Sequence, residues 1–327
     1  MIDWHPAANN ILASSGYDNM IIIWNVTKAV PVIHISIHPD TIYSMSWNRI
    51  GSQLVTTCKD KILRIFDARS GQVAKQGECH KGGKPSKVVW CKVADKELIF
   101  TTGFTKYSER QYAVWSPDNL SSPLKMETLD SSSGKVGDWI FQDKKVVVVA
   151  IFIVYITSTC RMFKGLHFLS TFPTRKIMSP TLSIGVLTPI YDPDTNMMYL
   201  AGRGDGNVRF FELLSEAPWV CYLNEFISGT PHRSLGVMPK RGVDVMSCEI
   251  TRFYKLHINK ELVEPISMVV PRKTDMFQDD IYPETAAPIA ALTGKFICRD
   301  ENIRPKPPNT IRTLIEFYLM TTYKPNL

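Results

Sequence analysis

Side chains that could perform chemistry are scattered along this chain of 327 residues. His34 and His38 stand four residues apart, but the β-branched residues around them indicate a connection between strands, not a helical metal pair. Asp279, Asp280 and Glu284 form an acidic cluster that is typical of a solvated edge. No zinc-protease, Walker, nucleophile-elbow or Cys/His metal spacing occurs, so the sequence predicts a non-enzymatic protein without catalytic residues, metal or cofactor.

A glycine-rich run at 202–206 has half the spacing of a dinucleotide-binding fingerprint. It lies between two predicted strands with no helix after it, which indicates a hairpin turn. Its Arg-Gly-Asp triplet would point to integrin binding only in a secreted protein. We expect no secretion, because the chain opens without a signal peptide. Its seven cysteines form no C-x-x-C pair, so buried thiols in a reducing compartment are expected.

The net charge of +7 is unevenly distributed. Residues 135–185 carry seven basic and two acidic side chains, and residues 294–327 carry six basic and three acidic ones. The rest of the chain is therefore slightly acidic. A protein steered to nucleic acid should carry its positive charge on the folded body, so no nucleic-acid partner is expected. With 44% hydrophobic and 10% aromatic residues, the composition is that of a globular protein.

The elements that must position any site repeat along the chain. Successive repeats are 43 residues apart at Trp4, Trp47 and Trp90, and each tryptophan precedes a turn and a strand of small residues. A tight polar turn and a strand ending in an aromatic residue then follow. A fourth copy spans 189–212, and a weaker fifth copy ends at 255. Short strands recurring every ~40–45 residues predict an all-β fold, a WD40 β-propeller with four strands in each blade.

Such a blade gives its repeated residues structural roles. The terminal aromatics fill the layer between blades, and an acidic residue at the tight turn accepts hydrogen bonds from turn amides. The predicted core aromatics are Trp4, Trp24, Trp47, Phe66, Trp90, Trp115 and Phe211. The predicted turn acids are Asp18, Asp60 and Asp205.

Four stretches go beyond the general repeat, at 4–25, 101–111, 191–195 and 236–283. They resemble coronin, a family of WD40 proteins that associate with actin filaments. The resemblance covers about 1–134 and 186–293. It implies that a segment after the last blade packs back under the propeller. Features of type 1 and type 2 coronins both occur, so the subgroup stays open.

The chain departs from the coronin pattern in its organisation. We predict WD40 blades at 1–134 and 186–260, a coronin-type post-propeller segment at 261–293, and foreign segments at 135–185 and 294–327. About five of the family's seven blades are expected. The basic N-terminal segment assigned to actin contact in the family is expected to be missing, as is the coiled coil that would mediate oligomerisation.

Within the first foreign segment, residues 146–156 form an apolar run. Eleven residues fall short of the ~20 that a spanning helix needs, so no transmembrane span is expected. Both foreign segments begin at a Gly-Lys pair, which is Gly134-Lys135 in the first and Gly294-Lys295 in the second. The codons GGTAAG can encode such a pair, and they contain an intron donor consensus. Our hypothesis is therefore that both foreign segments are translated introns, and sequencing the transcript across Gly134 tests it. The rival hypothesis for 135–185 is a genuine disordered or inter-blade loop.

The coronin resemblance implies a non-catalytic adaptor that binds actin filaments and organises the cortical actin cytoskeleton of the cytoplasm, together with other cytoskeletal proteins. The basic residues that we select as candidates for contact with acidic actin are Lys240, Arg241, Arg272 and Lys273. One alternative is a WD40 interaction scaffold that lacks actin binding because N-terminal blades are missing. A second alternative is a membrane-associated protein that uses 146–156.

Overall fold

The computed structural model describes residues 1–130, 185–272 and 277–286, together with the backbone of 310–311. The described residues form an all-β structure of five blades arranged as a propeller, with three short 3-10 helices. The prediction of a β-propeller with about five blades is therefore confirmed. The predicted foreign segments lie outside the described residues, apart from Gly185 and the backbone of 310–311.

The strands follow one another along the chain as antiparallel meanders. Blade 1 comprises β1 (Ile2–Trp4), β2 (Ile11–Ser15), β3 (Ile21–Asn25) and β4 (Val30–Ile35). Blade 2 comprises β5 (Ile42–Trp47), β6 (Gln53–Cys58), β7 (Ile62–Asp67) and β8 (Val73–Glu78). Blade 3 comprises β9 (Lys87–Val93), β10 (Lys96–Phe104), β11 (Arg110–Trp115) and β12 (Lys125–Asp130). Blade 4 comprises β13 (Leu187–Asp192), β14 (Met197–Gly202), β15 (Val208–Leu213) and β16 (Val220–Phe226).

Blade 5 has three strands, β17 (His232–Val237), β18 (Glu249–His257) and β19 (Val263–Val269). The sequence placed the post-propeller segment from 261 onward, whereas 263–269 pairs with β18 inside the blade. β18 is thereby the central strand of the blade, with its backbone groups paired on both edges by β17 and β19. A small separate sheet pairs β20 (Thr285–Ala286) with β21 (Thr310–Ile311).

Burial explains why these segments form strands. In β2 the side chains alternate between buried and half-buried, the period-2 pattern of a strand with one covered face. All six residues of β11 are buried, since blade 3 is covered on both faces. Residues with positive φ, including Asn19 and Lys61, turn the chain between the second and third strands of the first two blades.

The core consists of apolar layers between neighbouring blades. Ile11 and Ile23 of blade 1 pack on Trp47 and Phe66 of blade 2, and similar layers join blades 2 and 3, 3 and 4, and 4 and 5. Residues 131–184 separate blades 3 and 4 in the sequence, yet the two blades contact each other directly. Thr102 Oγ1, for example, donates to the Leu187 carbonyl at 2.7 Å.

One glycine is required at the junction of blades 1 and 2. Gly51 has a φ of +71°, and a Cβ built there would lie 2.0 Å from the His5 ring. His5 Nε2 in turn lies 3.0 Å from the Gly51 carbonyl. Any larger residue would therefore push the imidazole out of its place between the two blades.

Candidate functional site

The first predicted basic pair lies in the 3-10 helix Lys240–Gly242 that precedes β18. Lys240 Nζ contacts the Asp192 carboxylate of blade 4 and the Ile250 carbonyl of blade 5. Its side chain is only 18% exposed. Lys240 is therefore not an exposed cation, because its ammonium neutralises a buried carboxylate between two blades.

The other predicted basic residues differ in accessibility. Arg241 is half-buried, donates to the Ala286 carbonyl at 3.3 Å, and has a pKa lowered by burial. Arg272 is exposed and forms an ion pair with Asp280 at 2.5 Å. Lys273 lies outside the described residues. Arg272 is therefore the most accessible of the three described candidates.

Of the predicted post-propeller segment, 261–293, the structure describes 261–272 and 277–286, and the second stretch follows blade 5. Phe277 and Tyr282 stack with ring centroids 5.5 Å apart, and Tyr282 is 3% exposed. The Tyr282 hydroxyl donates to the Glu249 carbonyl of β18 at 3.0 Å. This segment packs on blade 5, as the coronin resemblance implied, and it supplies the partners of Arg241 and Arg272 described above.

Most of the aromatic residues that the repeat placed in the core are buried, and Trp24 is half-buried with its indole N–H donating to Ser14 Oγ at 2.8 Å. The buried members are Trp47, Phe66, Trp90, Trp115 and Phe211. Trp4 is the exception, because its side chain is 39% exposed. The equivalent Trp47 packs back on the preceding blade, with its ring centroid 5.0 Å from that of His5. Trp4 by the same repeat faces the side of blade 1 turned away from blade 2, so placing it in the core was wrong.

The turn acids divide into two kinds. Asp18 Oδ1 accepts from the Met20 amide at 3.2 Å, and Asp60 Oδ1 accepts from the Ile62 amide at 3.1 Å. Asp205 instead turns its carboxylate toward Arg110 of blade 3, and only its backbone amide bonds within the hairpin. Its side chain therefore joins two blades.

Sequence reasoning missed the ion cluster around Arg110, whose side chain is 3% exposed. Arg110 Nε and Nη2 contact both oxygens of Asp130, at 2.6 and 2.7 Å, and its Nη1 contacts Asp205. Arg209 of blade 4 contacts Asp130 at 2.6 Å. Burial would raise the Asp130 pKa, but Arg110 and Arg209 outweigh it and lower that pKa to about 2. The acidic turn of blade 4 was a visible signal, but its distant partners were not.

Sequence reasoning also missed a series of buried hydrogen bonds that joins blade 3 to the connection before it, where His80 lies. Trp115 Nε1 donates to Thr101 Oγ1 at 2.9 Å, and His80 Nε2 lies 2.9 Å from the same oxygen. Gln111 Nε2 lies 2.7 Å from His80 Nδ1. Gln111 is uncharged, so it does not stabilise a protonated His80 as a carboxylate would. Burial lowers the His80 pKa to about 4.

The described residues show where the candidate metal ligands and membrane features of the sequence lie. No group of three His, Cys, Asp or Glu side chains within them could hold a metal ion. His34 lies in β4, whereas His38 is buried in the connection after it and contacts Thr56 Oγ1 at 2.9 Å. In the part of the chain that the structure describes, no helix is long and apolar enough to cross a membrane. The apolar run 146–156 lies outside that part.

Comparison with known proteins agrees with this geometry. The family model described as "WD domain, G-beta repeat" matches residues 2–25 and 29–67, and one described as "Type of WD40 repeat" matches 263–295. Coronin-2A of Homo sapiens is 40% identical over 300 residues, which cover 90% of this chain and 47% of that protein. Coronin-2A of Bos taurus is 37% identical with the same coverage.

Among solved structures, the WD40 domain of Toxoplasma gondii coronin superposes with a TM-score of 0.74 at 26% identity. That match covers 96% of this chain and 66% of the other. The chain spans about half the length of the curated relatives it matches. The repeated blades, the segment packed after them and these relatives lead to one conclusion: the chain belongs to the coronin family of WD40 proteins.

Proposed function

We propose that this protein is a non-catalytic adaptor that binds actin filaments in the cortical cytoplasm and organises them with other cytoskeletal proteins. The observation that carries the proposal is the 40% identity to a Coronin-2A across 90% of the chain. Actin association is the activity that the coronin resemblance implies. A propeller suits it, because its rigid blades present loops and edges to a large partner.

The basic side chains beside the post-propeller segment are the proposed actin contacts. Arg272 is exposed, and its partner Asp280 is itself 54% exposed, so an acidic partner could compete for the guanidinium. Arg241 is half-buried at the edge of the same segment. Lys273 follows Arg272 in the chain and stays a candidate. We exclude Lys240 from this surface, because it is bound to Asp192.

The test is co-sedimentation with actin filaments. We expect the double variant Arg241→Gln/Arg272→Gln to bind roughly fivefold more weakly, because two rim charges contribute ~0.5 kcal/mol each. The control is Lys59→Gln/Lys75→Gln, which removes two exposed charges from blade 2 and should bind like the unmodified chain. Equal pelleting by both variants would contradict the assigned surface.

A specific observation favours a second candidate, a WD40 interaction scaffold without actin binding. Of the three described candidate cations, Lys240 is held by Asp192 and Arg272 by Asp280, which leaves less free positive charge than the sequence predicted. This candidate predicts that the folded protein stays in the supernatant with actin at low salt. The membrane alternative depends on 146–156, and a failure to partition into detergent would dispose of it.

A further inference from the structure

A cavity of about 680 Å³ lies where the five blades converge, and every blade contributes to its wall. The wall includes Ser15 of blade 1, Tyr43 of blade 2 and Lys87 of blade 3. Blade 4 supplies Arg203, and blade 5 supplies His232 and its neighbours. The predicted actin contacts are not among its lining residues.

The wall of this cavity is basic. It contains Lys84, Lys87, Arg203 and Arg233, and none of the residues that line it is acidic. Within the described residues, none of these four cations forms an ion pair with a carboxylate. All four are half-buried, and Lys84 Nζ lies 4.8 Å from the centre of the Phe104 ring. Because charge removed from water is usually paired, four cations around one cavity without an acidic partner favour an anionic ligand.

The cations also act on one another. Burial lowers the Lys87 pKa, and the neighbouring Arg203 lowers it further. Burial likewise lowers the Arg203 pKa, and Arg233 adds to that effect. Like charges held this close repel, and an anion between them would relieve the repulsion. Lys87 makes one hydrogen bond, to the Tyr43 carbonyl at 2.7 Å, so its ammonium retains donors for a ligand.

Three residues of the wall carry a buried polar atom that has no hydrogen-bond partner among the described residues. These atoms are Ser15 Oγ, Arg203 Nε and His232 Nδ1. Ser15 and His232 are 7% and 2% exposed. Buried polar atoms are nearly always bonded, so three atoms without a partner beside one cavity show that the hydrogen bonding of its wall is incomplete.

We propose that this cavity is a binding site for a small polyanion that carries several phosphate groups. Phosphate suits the wall because each group offers multiple acceptor oxygens to guanidinium and ammonium donors. Four cations match the charge of two or more phosphates, and about 680 Å³ is within the range of small-molecule pockets. A soluble polyphosphate and a phosphorylated lipid headgroup share this chemistry.

The test is isothermal titration of the intact chain with inositol hexakisphosphate and with inorganic tripolyphosphate. We expect saturable binding that Lys87→Gln and Arg203→Gln each weaken about tenfold, since each removes a charge-assisted hydrogen bond. The matched control is Lys75→Gln, the same substitution on the outer strand β8, which should change the affinity less than twofold. Thermal unfolding of each variant checks that it is folded.

Two further arms separate the sources of the phosphate. Flotation with vesicles that contain phosphatidylinositol bisphosphate, competed by inositol hexakisphosphate, would identify a lipid headgroup. Binding of the soluble probes alone would identify a free polyphosphate. No binding of either probe by the folded chain, or equal weakening by Lys75→Gln and Lys87→Gln, would overturn the proposal. Equal affinity for a glutamate peptide of the same charge would also overturn it.

Discussion

Replacing Arg110 with methionine is expected to lower the free energy of unfolding by ~3–5 kcal/mol, the usual cost of removing one partner from a buried ion pair. Arg110 binds Asp130 in its own blade and Asp205 in the next blade. Burial opposes its charge, but these two carboxylates outweigh burial and raise its pKa. Without the guanidinium, Asp205 would remain beside the blade interface without its ion-pair partner.

The matched control is Arg209→Met, which makes the same change in the same ion cluster. Arg209 also binds Asp130, but its side chain is 24% exposed against 3% for Arg110. We therefore expect a loss of only ~1 kcal/mol for this variant. Urea unfolding of both variants measures the difference, and an equal or smaller loss for Arg110→Met would show that the cluster does not hold blades 3 and 4 together.

Acidification from pH 7 to pH 5.5 is expected to lower the free energy of unfolding by a net ~3 kcal/mol. Burial lowers the pKa of His5, His38, His80 and His232 to about 4 each. The unfolded chain binds protons at these histidines near pH 6.5, and the folded chain does not. Their stabilising contribution is therefore complete above pH 6.5 and is lost as the pH falls toward 4.

Hydrogen bonds explain why the folded protein resists protonation at these sites. His5 Nδ1 accepts from the amides of Ala7 and Ala8 at 3.1 and 2.8 Å, so a proton there would displace both donors. Carboxyl groups whose pKa is raised by burial oppose the trend, among them Glu97 and Asp194. Asp3 has the largest such effect. Burial raises the Asp3 pKa to about 7, so this carboxyl stabilises the fold as the pH falls, by ~1–2 kcal/mol over the same range.

Denaturant unfolding at half-unit pH steps measures this effect. The variant His80→Gln lacks one titrating group, so its stability should depend less steeply on pH by about one proton. A free energy of unfolding that stays constant between pH 7 and pH 5.5 would contradict the neutral state of the buried histidines.

The local features of the fold could be predicted because similar turns and strands recur along the chain. The spacing of Trp4, Trp47 and Trp90 predicted the blades, and the acids at 18 and 60 predicted tight turns. What the repeat could not predict is burial that depends on a neighbour. Trp4 and Trp47 are equivalent in sequence, yet Trp47 packs on His5 of blade 1 and is buried, whereas Trp4 is 39% exposed.

Long-range polar pairs were also beyond the sequence. Arg110 and Asp205 are 95 residues apart, and no local pattern marks them as partners. Lys240 was selected for its charge, but its carboxylate partner Asp192 lies on another blade. The basic cavity is likewise assembled from residues of several blades that are far apart in the chain. The sequence shows which charged residues are present, whereas the residues that they contact are known only from the assembled propeller.

The measurement that tests the central claim most directly is co-sedimentation of the whole chain with actin filaments over a salt series. If the protein is an actin-binding coronin with a basic contact surface, it should pellet saturably at low salt. The bound fraction should then fall as added salt screens the charges. A chain that unfolds cooperatively, and is therefore folded, yet stays in the supernatant at the lowest salt would contradict the claim.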